Sequence, residues 1–141
     1  MSTAREQRLI DSLRLVLRKR FRLFDETHKV GAKNIGENKF WIGYSMFGFK
    51  QIERLNYFDL NIEGDICYLL NIELEEKLHG MGLGKQLYSS IEEFARRERC
   101  SRVRMTPFGR AITGESRRDY IHRLGYLDVS PNGEVEKIVR L

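Results

Sequence analysis

The stretch that most limits what this chain can become starts with an apolar run, Ile66 to Leu74. It passes three alternate glycines, Gly80, Gly82 and Gly84, and enters a helical period of apolar residues at Leu83, Leu87, Ile91 and Phe94. On a strand, Ile66, Tyr68, Leu70, Ile72 and Leu74 share one face, while Cys67, Leu69, Asn71, Glu73 and Glu75 share the other. Both sets begin apolar, which predicts a central strand covered on both sides that turns polar on one face near its C-terminal end. Tyr88 and Ala95 widen the helix stripe, and Arg102 to Thr106 reads as a short strand after it. Strand, glycine turn, helix and strand make a crossover unit with parallel strands. The expected class is α/β, with a mixed central β-sheet flanked by helices.

The turn itself, Leu78 to Lys85, suits an anion. Glycines let the backbone approach a ligand closely, and the first amides of a helix lack internal acceptors and have the helix dipole behind them. A pyrophosphate would fit there; the plainer reading of the same pattern is a turn whose glycines only relieve strain. Two nucleotide motifs are excluded. Gln86 stands where a P-loop needs Ser or Thr after its lysine, and Lys85 where a dinucleotide fingerprint needs a third glycine.

The remaining segments supply the rest of the layer. Ala4 to Arg20 sets Leu9, Leu13, Val16 and Leu17 on one helical face. Phe21, Leu23 and Val30 suggest a strand interrupted by the turn-forming Gly31, Asn34, Gly36 and Asn38. Phe40 to Phe47 is an aromatic-rich strand. Arg54 to Ile62 should pair with the Ile66 strand through the Glu63-Gly64-Asp65 turn. Ser116 and Asp119 resemble a capping box for a helix over Tyr120, Ile121 and Leu124, stopped at Gly125. Two strands, Tyr126 to Val129 and Val135 to Leu141, close the chain around the Pro131-Asn132-Gly133 turn.

At 141 residues the chain fits one domain, 1–141, and 41% hydrophobic with 32% charged residues is globular. No apolar run approaches the roughly 20 residues of a membrane span, and Met1 to Arg8 has no signal-peptide character, so a cytoplasmic protein without a membrane partner is expected. Cys67 and Cys100 lie in no metal-ligand spacing, and His28, His79 and His122 form no zinc pattern, so no metal is expected. The net charge of +5 is unevenly spread. Leu55 to Glu76 holds Asp59, Glu63, Asp65, Glu73, Glu75 and Glu76 without a Lys or Arg, whereas Lys85 to Arg123 is rich in arginine. One part suits a cation and the other an anion.

Leu78-His79-Gly80-Met81-Gly82-Leu83-Gly84-Lys85 resembles motif A of the GCN5-related N-acetyltransferase (GNAT) superfamily, in which an Arg or Gln, two residues, Gly, one residue and Gly or Ala wrap the acetyl-CoA pyrophosphate. Gly82 and Gly84 match, and His79 takes the Arg/Gln place. Arg118 to Tyr126, with its Leu-Gly-Tyr ending, is similar to motif B of the same family. The order of elements from about Leu55 onward is similar too.

The resemblance implies an acetyl-CoA-dependent N-acetyltransferase acting on a primary amine of a small molecule or peptide, by direct attack in a ternary complex. Backbone from Met81 to Lys85, with His79 and Gly80, would hold the pyrophosphate, and backbone near Ile72 and Leu74 the pantetheine arm, with an amide near Leu74 stabilising the oxyanion. The attacking amine must be neutral, so a base is needed. Glu73 is the first candidate, and Asn71 would orient a water. In the family the proton donor is a tyrosine four residues before the motif B glycine. Ile121 stands there, leaving Tyr120 as the candidate acid, and Gly114 replaces a frequent CoA-contacting asparagine. Those two departures keep a non-catalytic acyl-CoA-binding module open. The arginine-rich helices keep a nucleic-acid-binding protein open, although nucleic acid is not the expected partner. The aromatic strand Phe40 to Phe47 is a candidate surface for a homodimer.

Overall fold

The computed structural model describes residues 3–25, 29–36, 39–45, 57–73, 82–107 and 116–140. Its elements are α1 (Ala4–Arg20), β1 (Lys29–Gly36), β2 (Lys39–Ser45), β3 (Tyr57–Glu63), β4 (Ile66–Glu73), α2 (Leu83–Arg97), β5 (Arg102–Met105), α3 (Arg117–Arg123), β6 (Leu127–Asp128) and β7 (Val135–Ile138). They form one seven-stranded sheet in the order β1-β2-β3-β4-β5-β7-β6. Every pairing is antiparallel except β4 with β5, which is parallel because α2 carries the chain back to the starting edge.

Local chemistry sets the helix ends. Thr3 and Glu6 form a reciprocal capping box on α1, a Thr-x-x-Glu signature legible in the sequence. Ser116 Oγ accepts from the Asp119 amide at 3.1 Å, which is one half of the expected box. Leu9, Leu13, Val16 and Leu17 of α1 and Leu83, Leu87, Ile91 and Phe94 of α2 are buried in one cluster with Phe58, Leu60, Ile62, Cys67, Leu69 and Val103 of the sheet. Each such side chain contributes roughly 1.5–3 kcal/mol on leaving water. Ile121 brings α3 into the same cluster.

The strand suggested from Phe21 is not formed there. Phe21 ends α1 and its ring is buried, while β1 begins at Lys29 and runs through Gly31 and Asn34. The Asn and Gly residues mark an irregularity instead. The β1–β2 register shifts between Asn34 and Gly36, and Asn34 Oδ1 accepts from the Gly36 amide at 3.0 Å. At the edge of a sheet such a kink costs little, because few ladder bonds are lost. The aromatic strand is β2, hydrogen-bonded to β1 on one side and β3 on the other, so its edges are used within the sheet; Met46 and Phe47 lie outside the described residues.

A second correction bears on the site. Leu60 pairs with Leu69 and Asp59 with Asn71, so Leu70 is an extra residue, a β-bulge in β4. A bulge reverses the alternation beyond it. Cys67 and Leu69 face the helices, as expected, but Asn71 and Glu73 belong to the opposite face with Tyr68, and Ile72 packs on the core opposite Phe58. That second face is half-buried and not sealed as expected: Tyr68 is intermediate and Leu70 48% exposed. No helix among the described residues is long and apolar enough to cross a membrane.

Candidate active site

The parallel pairing of β4 with β5 covers only Ile66 to Tyr68 against Arg102 to Arg104. β4 continues to Glu73 and β5 to Met105, which is paired with Val135 of β7. Beyond Tyr68 the β5-facing edge of β4 therefore carries no ladder to β5. Peptide groups on such an edge are ready to pair with an extended ligand. The edge leads by way of residues 74–81 to Gly82.

Gly82 is the N-cap of α2 with φ +77°, a left-handed conformation that glycine adopts without a Cβ penalty. A Cβ here would meet nothing within 4 Å, so backbone angle and not crowding favours glycine. The α2 N-terminus has no side-chain cap and no acid in its first turn, and the exposed Lys85 stands there. Amides of that turn and the helix dipole therefore present positive potential, with no carboxylate in the first turn itself to compete for it. Leu83 is wholly buried, so only its backbone can serve a ligand. Of the expected cofactor contacts, Leu74, His79, Gly80 and Met81 lie outside the described residues, as does Gly114.

Tyr120 comes to the same place from α3. Its hydroxyl lies 3.7 Å from where a Gly84 Cβ would stand, its ring is 6.0 Å from that of Tyr88, and the Arg123 guanidinium is 5.5 Å from the ring centre. Tyr88 is buried, which raises its phenol above the usual value, with Arg117 drawing it the other way. Ile121 is fully buried, so the position where the family carries its proton donor is a core position of this chain.

Glu73 is paired with Tyr57 at the end of β4; its side chain lies outside the described residues. Asn71 donates a long hydrogen bond, 3.5 Å, from Nδ2 to Oδ2 of Asp59. Asp59 is only 7% exposed, although it is a carboxylate in the middle of β3. The sequence shows it only as one of the acids of the Leu55 to Glu76 segment; the sharper signal is a polar alternation, Asp59 and Asn61, within an apolar strand.

The thiols take no part. Cys67 and Cys100 are free and buried, and burial lifts Cys100 to about 11 and Cys67 well above its ordinary value, so both stay neutral and poorly nucleophilic. Among the described residues no group of His, Cys, Asp and Glu could hold a metal ion. Many arginines are engaged within the fold: Arg8 with Glu98, Arg20 with Glu93, Arg102 and Arg104 with Glu136, and Arg118 with Asp128. Asp128 also accepts from His122, and these partners hold its carboxyl below the usual range.

None of the curated proteins matches the chain. Among solved structures it is similar to the PaiA N-acetyltransferase from Thermoplasma acidophilum in complex with coenzyme A, at 17% identity over 70% of this chain and 59% of that one, with a TM-score of 0.50. The chain thus spans less than two thirds of that relative. A GNAT-family acetyltransferase from Staphylococcus aureus is similar over 99% of this chain and 96% of that one, at 9% identity and a TM-score of 0.51. At these identities the likeness is one of fold. The model of the acetyltransferase (GNAT) family matches residues 3–131, nearly the whole described fold from the α1 cap to the turn before β7, and the chain belongs to that family.

Proposed function

We propose that the chain is one acetyltransferase domain that moves the acetyl group of acetyl-CoA to a primary amine. Family membership supports acyl transfer in general. The observation that carries the finer reading is the edge of β4 beyond Tyr68, which has no ladder to β5 among the described residues, followed along the chain by the α2 N-terminus at Gly82, which no side chain caps. An extended pantetheine arm can pair with the β4 edge near Ile72 while the pyrophosphate takes the amides from Leu83 to Lys85. A thioester fixed by so long a handle meets its amine as if in one molecule, which accounts for much of a rate enhancement.

In this reading Glu73 takes the proton of the amine, directly or through a water set by Asn71, which belongs to the face away from the helices. Tyr120 remains the candidate proton donor. The acceptor's nitrogen bonds to the carbonyl carbon, the C–S bond breaks, and the thiolate of coenzyme A gains a proton.

Calorimetric titration of the purified protein with acetyl-CoA tests the reading. The wild type should bind, and Gly82→Trp, which places an indole in the seat, should not. Absence of wild-type binding at millimolar acetyl-CoA would end this reading and favour a search for anions that suit the arginine-rich surface.

A further inference from the structure

Between α2 and α3 two pairs of side chains meet, and the acetyl-CoA reading uses one of them. Gly84 and Tyr88 are four residues apart on α2, and Arg117 and Tyr120 three apart on α3, so each pair lies on one face of its helix. The Tyr120 hydroxyl stands over Gly84. Arg117 in turn reaches Tyr88, giving its hydroxyl a hydrogen bond and a neighbouring positive charge. The rings of Tyr88 and Tyr120 are 6.0 Å apart, tilted by 56°. Arg117, Tyr88 and Tyr120 thus run in sequence to the first turn of α2.

Stability alone gives no reason for Arg117. Its Nε–H is buried and meets no acceptor among the described residues, and its partner Tyr88 is itself buried. An unmet buried donor is destabilising, and replacing both members of such a pair by apolar groups of similar shape is often neutral or stabilising. What the pair does supply is a fixed orientation. α3 has seven residues and buries only Ile121, so it is too short to hold its own direction. On one side Arg118 donates to Asp128 and to the Gly133 carbonyl, and His122 bonds Asp128, tying α3 to the β6–β7 hairpin. Toward α2 the tie runs through Arg117 and Tyr88.

We propose that Arg117 is a positioning residue: by holding Tyr88 it fixes the direction of the Tyr120 hydroxyl, the group that protonates the leaving thiolate. The inference rests on the acetyltransferase reading. As the C–S bond breaks, its electron pair goes to sulfur; the Tyr120 O–H bond then breaks, its proton goes to that sulfur, and the phenolate recovers a proton from water. Such a transfer needs heavy atoms about 2.6–3.2 Å apart, and a misplacement of about 1 Å can cost roughly a hundredfold in rate. A two-turn helix held on one side alone allows such an error.

Initial rates of coenzyme A release at saturating acetyl-CoA, with n-butylamine or benzylamine as acceptor, test it alongside calorimetry and thermal melting. Arg117→Met should lower kcat about tenfold or more while acetyl-CoA affinity stays near wild type. Arg117→Lys, which keeps a donor for the Tyr88 hydroxyl, should recover most of that loss. The double variant Tyr88→Phe, Arg117→Met should melt at or above the wild-type temperature and still be as slow as Arg117→Met, a combination that damaged folding does not produce. In a Tyr120→Phe background Arg117→Met should lower kcat no further, because its effect passes through that hydroxyl. An unchanged kcat in Arg117→Met, losses that multiply with that of Tyr120→Phe, or a wild type that binds acetyl-CoA yet releases no coenzyme A with either amine overturns the positioning role. Failure of the wild type to bind acetyl-CoA at all overturns the acetyltransferase reading itself, and the calorimetry separates the two.

Discussion

Gly82 and Gly84 are two residues apart and serve different needs. Gly82 holds a positive φ, so any side chain there strains the backbone by about 1–2 kcal/mol. Gly84 is helical, and an added methyl would make only ordinary contact with the Tyr120 hydroxyl. If Gly84 is glycine for the ligand and not for the fold, Gly84→Ala should leave the melting temperature unchanged or higher, by up to about 1 kcal/mol of helix propensity, and should weaken acetyl-CoA binding in the same calorimeter. The Tyr120 hydroxyl stands over that first turn and is the candidate proton donor, so Tyr120→Phe is expected to lower kcat while acetyl-CoA binding stays near wild type. A loss confined to acetyl-CoA affinity would instead make it a binding residue. Motif spacing made these residues visible as candidates, whereas their different reasons depend on a dihedral angle and a neighbour that spacing does not contain.

Among the elements, α2 is tied to α1 at its middle and at its C-terminal end. Arg20 donates to Ser89 and Glu93, joining α1 to it, and Arg97 donates to Ser12. On its sheet side Glu92, 8% exposed, accepts from Tyr126 at 2.9 Å and from Lys137 at 3.0 Å. Burial, and next the adjacent Glu92 carboxylate, push the Tyr126 phenol far above its ordinary value, so it remains a donor at every pH where the fold survives. Glu92→Ala leaves a buried hydroxyl and an ammonium without their acceptor. It should cost about 3 kcal/mol, seen as a fall of roughly 10 °C in melting temperature; a change within a degree would mean that the network contributes nothing net. The helix and its stripe were legible from the period of Leu83, Leu87, Ile91 and Phe94. Glu92 was not, because on a helical wheel it reads as one more surface carboxylate.

At the scale of the whole molecule, the sheet divides the labour. Its helix-covered face holds the core, and its other face gathers Asp59, Asn61, Tyr68 and Asn71. A ligand that binds the native fold and not the unfolded chain, here across the β4 edge and the α2 turn, should stabilise the fold as a unit. Acetyl-CoA at a hundred times its dissociation constant adds about 2.7 kcal/mol, and the melting temperature should rise by roughly 8 °C. No shift at that saturation would mean that the bound form is not the native fold.

The sequence by itself determined the class, the helices, the crossover from β4 through α2 to β5, and the glycine turn with its family, because these follow from local periodicity and from motifs that are contiguous in the chain. Tertiary structure alone decided the rest. The Leu70 bulge appears only when β4 is laid against β3, since two-residue alternation within one strand cannot reveal an extra residue in its partner's register. It is this bulge that turns Asn71 away from the core and toward Asp59. Likewise the stretch of β4 without a ladder to β5 depends on where β5 stops pairing, and the burial of Asp59 depends on neighbours supplied by the strands on either side. Periodicity reports what a segment does alone; a site assembled across strands is a property of their register.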